Sequence, residues 1–303
     1  MRETAIIITN YNGYSDTKKC LESIKNSIYK DYFVVVVDDC SPNLENILDI
    51  DKEFSDIDIV VTQTKNNLGF AGANNWGINF AQEFSPRYYM LLNNDATVDE
   101  YTISRLIDEA DATNIVGPCI FKMNDPNIVW SAGGEIGEQD GVPYNIGNGM
   151  ELSEEYLEKR DVRFLSFCCV LFSAEILEQV GQLDESLYMY SEDVDFCLRA
   201  SRKNIKCIYC PEAVVFHKDG GSGVSKSLQG LYYGMRNECY IRERYLRVGR
   251  KMNLRLLNRL TLSYIVKTML GCCNDINYYR YRAVKDWKDG VSGKSFSRRK
   301  IDE

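Results

Sequence analysis

Three polar clusters stand directly behind apolar runs, and each carries side chains able to hold a nucleotide, a phosphate or a metal ion. Thr9-Asn10-Tyr11-Asn12 follows AIII, Asp38-Asp39 follows FVVVV, and Asn93-Asn94-Asp95 follows YYMLL. A carboxylate at a strand end can ligate Mg2+ or Mn2+ while a diphosphate fills other coordination positions, which makes Asp95 a metal candidate. Its simpler role is to start the helix expected in ATVDEYTISRL. Asp38 and Asp39 can accept a hydrogen bond from a nucleobase ring N–H, or merely open a turn before Ser41-Pro42. A fourth cluster, Ser191-Glu192-Asp193 with Asp195, opens a helical segment after LYMY. The positive end of the helix dipole favours carboxylates there as caps, and the same arrangement can present a general base to a cleft. His217, the only histidine, ends EAVVFH beside the Gly-rich KDGGSG. There, metal or phosphate contact competes with plain packing.

Side chains at strand ends act together only if the strands lie side by side. TAIIIT, YFVVVVDD, DIVVTQ and RYYMLLNND read as strands, separated by helical SDTKKCLESIKNSIY, with Ser15 as its expected cap, and by helical AGANNWGINFAQEF. TISRLIDEADA continues the alternation as a helix. This is a βαβ pattern, and continuous Val and Ile runs are what strands covered on both faces require. Ligands of such sheets bind beyond the carboxyl ends of the strands. Residues 115–217 turn mixed: IVGPCIF, IVWSAGG, RFLSFCCVLFS and KCIYCPEAVVFH are expected strands, AEILEQVG and EDVDFCLRASRKN helices, and SAGGEIGEQDGVPYNIGNGM a loop or loose hairpin. From Leu228 on, Arg- and Tyr-rich helices follow, with Gly249 and Gly271 as candidate breaks.

Composition excludes several classes. With 303 residues, 45% hydrophobic and 26% charged, the chain is globular. Its net charge of -8 divides unevenly, because residues from Lys226 onward hold 18 Lys and Arg against 7 Asp and Glu. An acidic body argues against a nucleic-acid groove, and a basic, aromatic tail points to an anionic surface such as phosphate or lipid headgroups. MRETAIIITNYNG is too short an apolar run for a secretion signal, so the 11 cysteines are expected as reduced thiols in a cytoplasm. Cys207-x-x-Cys210 has no second pair at zinc-site distance and reads as structural. LTLSYIVKTMLGCC is too short to cross a bilayer and contains Lys267. NYNGYS after the first strand is not a dinucleotide-binding turn, and there is no P-loop.

The order IIITNYNG, VVVVDDCSPN, NNLGFAGANNWGI, YYMLLNNDA, LYMYSEDVDFCLR and VVFHKDGGS resembles the family 2 glycosyltransferases of the GT-A fold, in particular the bacterial branch labelled rhamnosyltransferase-like. The resemblance spans about residues 4–225. It implies an α/β fold with a Rossmann-like, mainly parallel sheet flanked by helices, a mixed acceptor-side sheet and a helical C-terminal extension. The domains would be a catalytic 1–225, with a nucleotide-sugar half (1–114) and an acceptor half (115–225), and a basic extension (226–303). By motif, Thr9, Tyr11 and Asn12 line the nucleotide site, Asp38 or Asp39 contacts the base, and Asn66, Gly69 and Asn74 border the nucleotide sugar. Asn93, Asn94 and Asp95 occupy the D-x-D metal motif, with an amide in place of its first carboxylate, so that Asn93 and Asn94 count among the nucleotide-sugar-binding residues and Asp95 as the metal ligand. His217 matches a position that completes a Mn2+ or Mg2+ site in some members. Asp193 matches the catalytic base, with Glu192 on the acceptor side and Arg199 as the expected partner of Asp195.

The activity so implied is inverting, metal-dependent transfer from an NDP-sugar to a glycan or lipid-linked saccharide in cell-surface polysaccharide synthesis. The transferred sugar would be a hexose or deoxyhexose, rhamnose among them. The alternatives are a sugar-1-phosphate nucleotidyltransferase, whose Gly- and Lys-rich loop after strand one is missing here, and a catalytically weak sugar-nucleotide-binding protein. Residues 228–300 are expected either to rest on an anionic membrane on the cytoplasmic side or to pack on the catalytic domain as an oligomer contact. A chain ending near Ser227 is then expected to keep donor hydrolysis.

Overall fold

The computed structural model describes residues 3–43, 47–218 and 227–298. The first part of the chain runs β1 (Thr4–Asn10), α1 (Tyr14–Lys25), β2 (Tyr32–Asp38), a short α2 (Ile50–Glu53), β3 (Ile59–Gln63), α3 (Gly69–Gln82) and β4 (Tyr88–Asn93). It continues with β5 (Ala96–Val98), α4 (Thr102–Glu109), β6 (Asn114–Lys122), β7 (Asp125–Ser131), β8 (Gly134–Ile136), β9 (Pro143–Asn145), β10 (Arg160–Val162), β11 (Cys169–Ser173), α5 (Ala174–Val180), α6 (Glu192–Ser201) and β12 (Lys206–His217). Three helices close the chain, α7 (Leu228–Tyr245), α8 (Gly249–Met269) and α9 (Asp275–Lys288).

One sheet carries the order β10-β12-β6-β11-β4-β1-β2-β3. β1 lies parallel between β2 and β4, in a register that pairs Thr9 with both Val37 and Asn93, and Asn10 with Asp38. The three polar clusters therefore end side by side. The period-2 geometry of a strand sends alternate residues to opposite faces: Ile7, Val35, Val37 and Leu91 enter one core under α3, α5 and α6, and Ile6, Ile8, Val34, Val36, Met90 and Leu92 enter another under α1 and α4. Each fully buried Ile or Val contributes about 1.5–3 kcal/mol, so register is fixed on both faces at once. α3 lies close to the sheet because Gly77 faces it; a Cβ there would stand 2.4 Å from Ile7 Cγ2.

β11 joins the two halves expected from sequence into one sheet, pairing antiparallel with β4 on one side and β6 on the other. The boundary expected at 225/226 and the GGS of VVFHKDGGS lie outside the described residues. Some local expectations are corrected. Ser15 does not cap α1, whose N-cap is Gly13 with no side-chain bond. RFLSFCCVLFS is a strand only from Cys169, and IVWSAGG only as far as Ser131 within a strand that begins at Asp125. Asp95 starts no helix: it sits in the turn between β4 and β5, and α4 begins at Thr102. The Gly-rich stretch does hold a small hairpin, β8 with β9. Gly249 opens α8 and Gly271 follows its end, as breaks. All 11 cysteines are free thiols, and Cys207 and Cys210 are buried.

Candidate active site

The β1–α1 turn is held by Asn10, to which the sequence reading gave no role of its own within the Thr9–Asn12 cluster. Asn10 Oδ1 accepts from Gly13 N at 3.1 Å and Thr17 Oγ1 at 3.0 Å, and Asn10 Nδ2 donates to Asp38 Oδ1 at 2.8 Å. Asn94 braces the same turn, donating to Thr17 Oγ1 at 3.1 Å and Gly13 O at 3.3 Å. Asn12, at φ 54°, donates its backbone N–H to Ser41 Oγ at 2.8 Å, and Tyr11 stands exposed at the rim beside it. Thr9 and Asn93 are paired in the strand register just below. A pocket of about 330 Å3 opens here, lined by Asn10, Asn12, Tyr14, Pro42, Asn43 and Ile47.

Both aspartates that end β2 are occupied by the chain's own donors. Asp38, fully buried, accepts from Asn10, from Ser41 N at 3.0 Å and Oγ at 2.6 Å, and from Gln63 Nε2 at 3.0 Å. Asp39 receives Leu68 N at 2.7 Å, Gly69 N at 2.9 Å and Thr64 Oγ1 at 3.1 Å. Burial lifts its carboxyl above the ordinary range, and those three donors pull it back. Their pull holds the N-terminus of α3 against β2, and with it the NNLG loop. Asn66 is exposed on that loop, Gly69 is buried at its end, and Asn74 is buried inside α3 with its amide returned to Phe70 O at 2.9 Å.

Antiparallel pairing of β5 with the end of β12 sets His217 opposite Ala96. His217 Nε2 and Asp95 Oδ1 are then 3.2 Å apart, both side chains largely buried. Neighbouring ligands of an octahedral ion with bonds of about 2.1 Å stand roughly 3 Å apart, so this pair fits one edge of a Mn2+ or Mg2+ shell. Among the described residues, no three acidic, His or Cys side chains are grouped so as to hold a metal ion by themselves. That suits an ion whose remaining positions belong to diphosphate and water. His217 Nδ1 is buried with no hydrogen-bond partner, and the ring is oriented instead by the Trp130 edge, centroids 4.7 Å apart. Lys218, next along, pairs with Asp16 of α1 at 2.9 Å.

The carboxyl pair at the start of α6 divides its roles by environment. Glu192 is buried, its Oε2 without a partner, and burial beside Asp193 drives its pKa well above the carboxylate range. Asp193 is partly exposed and receives Val194 N at 2.8 Å; burial raises its pKa to about 6. Glu192 is therefore the member that holds its proton to higher pH and Asp193 the one that ionises more readily, a separation typical of acid and base assignments. Asp195 faces away, paired with Arg199 at 2.8 Å as expected, and also with Arg244 at 3.1 Å and Tyr245 Oη at 2.7 Å.

The segment leading into α6 is strained. Tyr188, Tyr190 and Ser191 have φ of 67°, 69° and 68°, a left-handed conformation costing about 1–3 kcal/mol for each non-glycine residue. It persists where neighbours hold it. On one side Gly69, at φ +73°, lies against Tyr188, and Ala71 N donates to Tyr188 O at 3.2 Å. On the other, Asn237 of α7 donates to the carbonyls of Leu187, Met189 and Tyr190 at 2.8–2.9 Å. Nothing in a basic, Tyr-rich tail distinguishes Asn237 from a solvated residue; the available signal was a Tyr pair one turn before an Arg-Asn pair. Lys294 also escaped notice: it reaches Asn67 Oδ1 at 3.3 Å and lies over the Tyr188 ring, so the end of the chain meets the loop before α3.

Comparison with known proteins bears on the family and the fold. The family model described as Glycosyl transferase family 2 matches residues 5–181. The "Low-salt glycan biosynthesis hexosyltransferase Agl10" of Haloferax volcanii is 28% identical over 220 residues, 71% of this chain and 67% of that protein. Among solved structures, GalNAc-T7 with UDP, GalNAc and Mn2+ superposes with a TM-score of 0.65 at 14% identity, covering 96% of this chain and 56% of that one. The mannosyltransferase PcManGT from Pyrobaculum calidifontis, in complex with GDP-Man and Mn2+, gives 0.56 at 12% identity, covering 94% and 87%. The fold is thus GT-A, with a C-terminal helical part.

Proposed function

The chain belongs to glycosyl transferase family 2, and from that premise we propose an inverting, divalent-metal-dependent transfer of a hexosyl or deoxyhexosyl group from an NDP-sugar to a hydroxyl of a glycan or lipid-linked saccharide. The observation that carries this reading is the meeting of Asp95 and His217 at octahedral edge distance, beside the ends of β1, β2 and β4. Family membership favours sugar transfer over nucleotidyl transfer.

In this mechanism the turn around Asn10, Tyr11 and Asn12 receives the nucleoside. With Asp38 and Asp39 internally bonded, their part is to shape that wall. Asp95 and His217 would hold Mn2+ or Mg2+, which when bound supplies positive charge to the departing diphosphate. Lys294 adds a second cation near the loop at Asn67. Asp193 takes the proton of the acceptor hydroxyl as that oxygen attacks the anomeric carbon; the bond to the diphosphate oxygen breaks with its electron pair, and in-line attack inverts the centre. Glu192 beside it, whose carboxyl holds its proton to higher pH, is suited to donate a hydrogen bond to the acceptor when protonated. A cytoplasmic-face location in glycan assembly belongs to this reading, with α8 resting on anionic lipid. Leu262 (66% exposed) and Met269 (82%) stand out from α8 and Leu270 (73%) from its C-terminal end, with Arg255 and Arg259 exposed earlier on the same helix.

The test is a panel of UDP-, GDP- and dTDP-sugars scored by thermal shift and nucleoside diphosphate release, with and without Mn2+. One donor giving Mn2+-dependent stabilisation and turnover is the expected result. Stabilisation indifferent to Mn2+ for every nucleotide would remove the metal-dependent mechanism.

A further inference from the structure

We infer that Arg236 and Asn237 of the C-terminal extension are positioning residues for the active site, holding Leu187–Ser191 in its left-handed course and thereby fixing Asp193; this rests on Asp193 acting as the base. The Asn237 amide has two hydrogens and meets three carbonyls, those of Leu187, Met189 and Tyr190, which converge only because the chain between them turns left-handed. A carbonyl array of that shape has no use for a side chain that accepts only. Arg236 sets the amide's orientation: its Nε donates to Asn237 Oδ1 at 2.9 Å, leaving the Nδ2 end toward the carbonyls.

Arg236 is itself fully buried. Its described partners are carbonyl and hydroxyl oxygens: Leu187 O at 2.9 Å, Gly293 O at 2.8 Å and Ser295 Oγ at 2.6 Å, with Tyr232 and Tyr233 rings beside the guanidinium. A buried guanidinium whose described partners include no carboxylate acts through its fork of donors, which fixes several backbone oxygens at once. Here it ties the catalytic segment to residues 293–295, whose Ser295 N in turn donates to Tyr233 Oη at 2.9 Å. The extension thus completes the active site from behind, and a chain ending near Ser227 would release the segment. The expected retention of donor hydrolysis by such a truncation is replaced by its loss.

The experiment compares full-length Asn237→Ala and Arg236→Lys with Leu257→Ala, which loosens the packing of α7, α8 and α9 without touching the segment. Amide hydrogen exchange over residues 187–193 and nucleoside diphosphate release from the donor selected by the panel are measured for each. Asn237→Ala is expected to speed exchange in 187–193 at least tenfold and lower kcat at least tenfold, with donor KM within about threefold. Arg236→Lys, which keeps the buried charge, should show the same pattern at smaller amplitude, and Leu257→Ala should leave the segment and kcat near wild type. If Asn237→Ala does not fold, Arg236→Lys decides alone. Unchanged exchange and kcat in the variant that folds, or equal effects in Leu257→Ala, overturn the inference. Should no donor be turned over, the functional reading fails while the exchange data still decide the clamp.

Discussion

At the scale of residues, the proposed mechanism separates groups that meet substrate from groups that shape the site. Asp193 must be ionised to take a proton, and with its carboxyl raised from 3.8 to about 6, kcat/KM is expected to rise through pH 6 and level off above about 7. A plateau already reached at pH 5 would mean another base. The same shift costs stability: the native state holds a proton that the unfolded chain has released, so stability falls as pH rises from about 4 through 6. Removing the charge should therefore stabilise the fold, and Asp193→Asn is expected to gain about 1 kcal/mol at pH 7.5 in chemical denaturation. Asp95→Ala should abolish Mn2+-dependent nucleotide binding, with His217→Ala weakening it less; calorimetric titration of UDP or GDP with and without Mn2+ reads both. The residue types were legible because Asp95, Asp193 and His217 each end an apolar run or open a helix. The bracing roles of Asn10 and Asn94 were not, because an amide that braces a turn is defined by partners on other strands.

At the scale of elements, sequence reading worked where burial is two-sided. FVVVV can hardly be anything but a central strand, and its continuous apolar run placed Asp38 at a sheet end before any register was known. It failed where the chain is fixed by tertiary contacts: FLSFC, before β11, is as apolar as a strand yet runs irregularly, with Phe164 bridging to Gly134. The left-handed residues 188, 190 and 191 were equally invisible, since Tyr and Ser carry no signal for positive φ. Gly69 carries part of that signal. Its φ of +73° and the 2.4 Å from a built Cβ to the Tyr188 ring predict that Gly69→Ala destabilises by about 2–4 kcal/mol and weakens donor binding. Urea denaturation and donor titration measure the two effects, and a neutral substitution would show that Tyr188 yields freely.

Across the whole molecule, an acidic body carries a basic helical extension, and the membrane role proposed for it falls to a different helix from the one built into the core. α7 is built into the catalytic core, through Asn237 and through Arg244 pairing with Asp184 and Asp195. Charge counting could not find this, because buried and solvated arginines look alike in composition. α8 is free to act outward. None of the described helices is long and apolar enough to cross a membrane, and its exposed Leu262, Met269 and Leu270 suit shallow insertion, with each nearby basic residue adding about 1 kcal/mol on anionic lipid. Leu262→Glu with Met269→Glu is expected to cut sedimentation with phosphatidylserine vesicles at low salt while leaving donor hydrolysis intact; unchanged sedimentation would assign this face to protein contacts. The central claim is that one carboxylate does the chemistry while the rest of the site holds the donor. It is tested most directly by comparing Asp193→Asn with wild type for donor affinity and for transfer with the donor and acceptor that support turnover. The account predicts transfer lowered by about two orders of magnitude or more with donor affinity within about threefold; transfer near the wild-type rate, or a larger loss in Glu192→Gln, would contradict it.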